Sequence, residues 1–384
     1  MARASGSFVN TTTLGETVRA FVPHPLPPAE PQLSPLSYES QNRAAEVALA
    51  RLSAVSGLVP SVEWLLYSAV RKEALLTSQI EGTQATLTDL FDQEAGIELN
   101  NRDDVEEVTN YMRAFRMVRD NLHDVHGLPL SVRLICDAQQ ILLDGARGAN
   151  KQPGELRRSQ NWIGGSQPGN AVFVPPPPEQ VPQLLGDLER FIHAEPAPLP
   201  PLVIIALVHA QFETIHPFLD GNGRIGRLLI TALLEQGNLL KAPLLYLSGY
   251  LKRNQTEYYR LLSATRTDGA WEAWVSFFLA GVTEAAAEAE RSVVDVATLV
   301  TADRRRLLES PKANSAAFRL FELLPMMPRF TVEKARQQLA TSFPTANAAV
   351  KLLTELGIVM EMTGQRKNRN FGYQHYIELL ARSE

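Results

Sequence analysis

His216-Pro217-Phe218-Leu219-Asp220-Gly221-Asn222-Gly223-Arg224-Ile225-Gly226-Arg227 is the stretch on which the rest of the chain turns. The apolar run Leu202 to Phe212 leads into it, and Ile225, Leu228, Leu229, Ala232 and Leu233 leave it at helical spacing. Pro217 disfavours helix in the residue before it, so the first helix should end there. The pattern is helix, glycine-rich loop, helix. Such a loop gathers backbone N–H groups and a helix N-terminus, which suits a phosphate chain. Its glycines let the backbone come close, and Arg224 and Arg227 add forked donors for phosphate oxygens. Asp220 offers a hard oxygen to Mg²⁺, and His216 can take a proton near neutral pH. A lone glycine turn is usually only a turn, and a lone histidine beside an apolar helix is usually core. One loop that combines base, metal ligand, anion nest and two arginines points to nucleotide chemistry. It is not a P-loop, because no G-x-x-x-x-G-K-[ST] occurs and no strand leads into it.

The same twelve residues resemble the Fic-domain signature HPFxDGNGRxGR, with every fixed position present. Fic proteins transfer the AMP part of ATP to a hydroxyl of a target protein. The resemblance implies that His216 deprotonates that hydroxyl and that Asp220 holds Mg²⁺. It implies that Gly221, Asn222 and Gly223 cradle the phosphates, with Ile225 and Gly226 in the same nucleotide-binding stretch. Arg224 would contact the β-phosphate and Arg227 the γ-phosphate.

Upstream, Val62, Leu65, Leu66, Ala69, Leu76 and Ile80 keep helical spacing, and the run stops at Glu81-Gly82. Glu81 can be read as a surface carboxylate or as part of a Ser78-x-x-Glu81 capping arrangement. A carboxylate at a helix C-terminus is electrostatically disfavoured, so something else should favour it. Thr77 to Gly82 is similar to the Fic inhibitory motif (S/T)xxxE(G/N). That likeness implies a pairing of Glu81 with Arg227 that keeps the γ-phosphate from its productive place, and it implies the N-terminally inhibited class.

Two β-prone runs around Gly165 to Asn170 read as a hairpin over about 160–176, closed by Pro175 to Pro178, which cannot donate ladder bonds. A plain loop with a packed Trp162 is the alternative. The resemblance identifies it with the Fic flap, along which an extended target segment would pair by β-augmentation. Tyr250, Asn254 and Tyr258 stand at helical spacing and suit either an adenine pocket or simple packing. His209 suits a core role or one behind the site.

The chain has 384 residues, 45% hydrophobic content and net charge −5, which argues against a protein dominated by nucleic-acid binding. Its single cysteine, Cys136, excludes an internal disulfide and sits in an amphipathic run as a core thiol. No membrane span or signal pattern is evident, so the cytoplasm is the expected location. Residues 1–37 are rich in Thr, Ser and Pro and read as an extended arm. Residues 310–384 carry ten Lys/Arg against six Glu. Helices at Thr331 to Leu339 and Thr345 to Leu356, then strands around Thr363 to Arg369, resemble a winged helix with a basic wing. Such a module binds DNA or docks protein, and the charge does not decide between them.

The expected fold is mainly α: a Fic-type helical bundle with a β-hairpin flap and a C-terminal winged-helix domain. The expected divisions are 1–98 with the inhibitory helix 62–82, the Fic domain 99–290, and 300–384. The expected function is ATP- and Mg²⁺-dependent AMP transfer to a Ser, Thr or Tyr hydroxyl of a target or of the chain itself, restrained by Glu81. Rival expectations are a Fic-fold enzyme that removes AMP or moves another nucleotidyl or phosphoryl group, and a ligand-sensing transcription regulator. The resemblance also suggests a homodimer.

Overall fold

A computed structural model describes residues 3–99, 101–145, 148–240, 242–364 and 369–382. The chain opens with a hairpin, β1 (Gly6–Thr13) and β2 (Glu16–Pro23), paired antiparallel from Gly6↔Pro23 to Thr13↔Glu16. Leu14 and Gly15 form its two-residue turn with φ of 48° and 81°, the positive values that match strand twist. The segment expected as an extended arm is therefore partly a hairpin. It is not isolated: the Phe21 N–H donates to the Val174 carbonyl at 2.9 Å, and Val18 and Ala20 bury against Val174.

Ten helices then build the body: α1 (Glu39–Val55), α2 (Val62–Ile80), α3 (Leu87–Ala95), α4 (Arg102–His123), α5 (Val132–Leu142), α6 (Val181–Ile192), α7 (Pro201–Ile215), α8 (Asn222–Gln236), α9 (Leu247–Arg253) and α10 (Gln255–Thr267). Helix α7 is the axis. Leu202 through Ile215 are all buried, as befits a helix that is apolar all round. Helices α6, α8, α10 and the next helix pack around it. Helix α2 starts on a Ser61 cap and lies against α4 and α9. Helix α3 was not anticipated from periodicity; a Thr86/Asp89 capping box starts it and Gly96, left-handed at φ 74°, stops it.

Helix α11 (Trp271–Glu309) runs unbroken for 39 residues, through the expected boundary between residues 290 and 300. Gly281 is a close approach along it, since a Cβ there would meet the Tyr250 ring. Beyond α11 come α12 (Ser315–Leu323), β3 (Arg329–Thr331), α13 (Val332–Leu339), α14 (Phe343–Glu355), β4 (Met360–Glu361), β5 (Asn370–Gly372) and α15 (Gln374–Ala381). The three strands order β3-β5-β4, all antiparallel, with Phe330 paired to Phe371 and their rings 5.9 Å apart. The expected basic wing falls mostly on residues 365–368, outside the described residues.

This C-terminal region packs onto α2 and α3. Arg329 pairs with Asp92 at 2.6 Å, and the buried Lys72 donates to the Leu380 carbonyl at 2.8 Å. Among the described residues no helix is long and apolar enough to cross a membrane.

Candidate active site

The end of α7 and the start of α8 bring the signature residues together. His216 follows α7 with φ 49° and ψ 62°, uncommon for a residue with a side chain, and its N–H closes the helix on the Phe212 carbonyl at 2.9 Å. Its Nδ1 is buried without a hydrogen-bond partner among the described residues. Burial, then the charges of Arg157 and Arg266, push the imidazole down to about 3. Burial and those two charges therefore favour the neutral ring, the protonation state a general base starts from.

Gly221, left-handed at φ 81°, starts α8 with no side-chain cap, so the first N–H groups of the helix are open to an anion. The Asn222 side chain closes the loop on itself instead, accepting from the Phe218 N–H and donating to the Phe218 carbonyl, each at 2.8 Å. Any cradle it forms uses its backbone.

Arg227 is fully buried. Its Nε donates to Thr77 Oγ1 at 2.6 Å, and Nη2 donates to the Thr77 carbonyl at 3.1 Å and to Glu81 Oε1 at 2.5 Å. Burial alone would raise Glu81, but the Arg227 charge and hydrogen bond, with Arg224 behind them, hold its carboxyl below the usual range. Glu81 ends α2 so that Oε1 lies over the first turn of α8, where a Cβ on Gly223 would collide with it. Thr77 and Glu81 are one turn apart on a single face, and Glu73 one turn earlier accepts from the Ser248 N–H at 3.1 Å. Arg224 turns to the buried Glu107 at 3.2 Å, with Asp220 Oδ1 at 3.7 Å.

The comparisons with known proteins fall on this site. Residues 40–120 match the family model described as Fic/DOC family N-terminal, and residues 129–234 match the one described as Fic/DOC family. The chain carries a Fic/DOC family domain. It is 36% identical over 110 residues to protein adenylyltransferase Fic of Drosophila yakuba, covering 28% of this chain and 20% of that protein. It is 41% identical over 70 residues to a probable protein adenylyltransferase of Aquifex aeolicus, covering 18% of this chain and 22% of that protein. The matches thus span about a fifth of the length of these curated relatives. A Fic family protein from Desulfovibrio desulfuricans has a similar fold, with TM-score 0.57 and 21% identity over 89% of this chain and 96% of that one.

Within the Fic domain, Asp220 is the most open of the loop's charged groups. Its Oδ1 accepts from the Gly221 N–H at 2.6 Å, and Gln139 donates to its carbonyl at 3.1 Å. Among the described residues no three His, Cys, Asp or Glu gather into a metal cage. One carboxylate beside an open helix N-terminus fits Mg²⁺ bound mainly through a nucleotide's phosphates.

Of the residues weighed for adenine contact, Tyr250 and Tyr258 are buried and Asn254 is half-buried. Tyr258 is 1% exposed, and its hydroxyl meets His209 Nε2 at 2.9 Å, while His209 Nδ1 meets the Gly226 carbonyl at 3.0 Å. His209 is thus a core residue that braces α8 from behind. Tyr250 packs against Phe277 with ring centroids 5.1 Å apart, and Asn254 donates to the Tyr250 carbonyl at 3.0 Å. Cys136 is half-buried, with burial pushing its thiol up to about 11.

Three neighbours of His216 were assigned no role from sequence. Arg157 is buried and reaches the His216 carbonyl at 2.9 Å through Nε. Arg266 donates to Thr214 Oγ1 at 3.2 Å. Glu213 is buried against Gly226 with Oε1 unpartnered among the described residues, and burial pushes its carboxyl up to about 7. Arg157 lies just ahead of the run expected as the flap, about 160–176, and no local pattern marked it. The expected flap is slight: Ile163 and Phe173 form an isolated antiparallel bridge, at 2.8 and 3.1 Å.

Proposed function

We propose that this chain is a protein adenylyltransferase that transfers AMP from ATP to a Ser, Thr or Tyr hydroxyl of a target protein or of itself, restrained by Glu81. The observation that carries this reading is a neutral imidazole at His216 beside an uncapped helix N-terminus over which Glu81 holds Arg227. In the reaction His216 accepts the proton of the attacking hydroxyl. The hydroxyl oxygen bonds to the α-phosphorus as the bond to the bridging oxygen breaks, and pyrophosphate leaves.

The open N–H groups at the start of α8, with Arg224 and Arg227, oppose the charge that gathers on the departing phosphates. Asp220 is the residue that would hold Mg²⁺, which when bound neutralises phosphate charge. Most of the acceleration is positioning and charge stabilisation, as in phosphoryl transfer generally. Glu81 opposes this by engaging Arg227 and crowding the first turn of α8 with a like charge, where a terminal phosphate would otherwise sit. The Ile163–Phe173 bridge leaves backbone for an extended target segment to pair with, which would orient the hydroxyl without fixing its sequence.

The test is Glu81→Gly with ATP labelled at its α-phosphate. Labelled protein carrying the mass of AMP supports the reading. A phosphate or UMP adduct moves the assignment to another transfer by the same fold, and an unlabelled, folded variant sinks it.

A further inference from the structure

Every hydrogen bond that the Arg157 guanidinium makes among the described residues ends on a backbone carbonyl. Two of those carbonyls close α7: His216 at 2.9 Å and Ile215 at 3.3 Å. The other two flank the flap: Pro176 at 2.6 Å and Ser159 at 3.4 Å. The Arg157 N–H adds a bond to the Pro217 carbonyl at 2.9 Å, so the chain at 157 grips the base from both sides. Arg266 repeats the arrangement on a second path. Its Nε donates to Thr214 in the last turn of α7, and its guanidinium lies 3.9 Å from the centroid of Phe173, the flap residue that makes the bridge.

We propose that Arg157, seconded by Arg266, is a positioning residue that locks the flap to the end of α7, so that a segment laid along the flap meets His216 in register. This rests on the reading of His216 as the base. Two strands held by one bridge are marginal by themselves, so their placement has to come from outside the pair. A left-handed residue with a side chain also persists only where its surroundings over-determine it, and the bond to the His216 carbonyl supplies part of that constraint. A cation serves here where a neutral donor would not, because a planar fork reaches several carbonyls at once. Its charge also works against an imidazolium. Facing the ring are Arg157 and Arg266, which disfavour its protonation, and Glu81 and the Glu213 backbone, which favour it.

The experiment uses the full chain carrying Glu81→Gly, with Arg157→Met, Arg157→Lys and Arg266→Gln added singly. Amide hydrogen exchange across residues 159–176, the NMR titration of the His216 ring, calorimetric ATP affinity and self-labelling at saturating ATP are read on each. In Arg157→Met, flap exchange should rise tenfold or more, the ring should titrate closer to an ordinary histidine, and labelling should fall at least tenfold with ATP affinity within twofold. Arg157→Lys keeps the charge without the fork, so the ring should stay low while exchange rises; it also serves if the Met variant does not fold. Arg266→Gln should loosen the flap less. Unchanged flap exchange in the folded variants overturns the proposal, as does ATP affinity falling in step with labelling. If the Glu81→Gly parent labels nothing, the transferase reading fails, and exchange and titration still decide the lock.

Discussion

From Phe218 to Arg227 the polar side chains other than Asp220 are committed: Asn222 to the Phe218 backbone, Arg224 to Glu107, Arg227 to Thr77 and Glu81. From Ile163 to Phe173 the backbone makes a single bridge, and Val172 stands 79% exposed. Arg157 bonds to the chain just before the first region and on either side of the second, yet one is built tight and the other is left open. The difference separates two tasks. Charge stabilisation needs groups fixed before the substrate arrives, because reorganisation at the moment of reaction is costly. Recognition of an extended segment needs unsatisfied backbone that an incoming strand can complete.

The sharpest way to break this contrast is to remove the base. His216→Ala in the Glu81→Gly background is expected to lower labelling by roughly 10²- to 10⁴-fold while calorimetric ATP affinity holds. A variant that keeps its rate would place the chemistry outside the tight region. Next comes the restraint. Glu81→Gly alone is expected to raise labelling by about 10- to 100-fold over the parent, the span of an ordinary coupling energy; equal rates would mean that the Arg227 pair does not hold the resting state.

A stability measurement probes the interior of the tight region. With its carboxyl pushed up to about 7, Glu213 keeps a proton in the folded state that the unfolded chain releases near 4.3. Stability from this group is therefore present at low pH and lost as pH rises to about 7. Glu213→Gln should gain roughly 2–3 kcal/mol relative to the parent between pH 5 and pH 8, read as a difference in Tm. A residual slope of the same sign belongs to Glu73, whose carboxyl burial also pushes up to about 7. The smallest effect belongs to the open region. Val172→Ala should change stability by less than about 0.5 kcal/mol and leave ATP affinity alone, while altering which lysate proteins are labelled.

Much of this was legible beforehand where one period or one local motif carried the information. The apolar spacing of Val62 to Ile80 coincides with α2, and the run from Leu202 to Phe212 falls within α7, which ends at Ile215. The signature predicts a helix–loop–helix, and the structure has one. The β1–β2 hairpin was hidden because Pro-rich and Thr-rich composition outweighed its pattern, although Gly15 between β-branched runs was a usable turn signal. Helix α11 reads from sequence as two stretches, the aromatic spacing of Trp271 to Phe278 and the alanine-rich helical run Glu284 to Asp303, because its apolar face changes from Trp and Phe to Ala and Val along its length. The burial of Tyr258 could not be read at all. Its partner His209 is 49 residues away, and helical spacing does not say whether a ring faces a pocket or a neighbour. Arg157 was opaque for the same reason, since most of what it holds is backbone nearly 60 residues distant.

One further consequence belongs to α11. At about 1.5 Å per residue it is a rod of roughly 58 Å, and Val293, Val296 and Val300 in its second half are buried. Near its end Asp303 accepts from the Tyr373 hydroxyl at 2.8 Å. A premature stop codon between 290 and 303 would therefore do more than delete a terminal module. It would sever a continuous rod, delete some or all of that buried valine stripe, and strip Lys72 and Asp92 of the partners that hold the helices on which Glu81 depends.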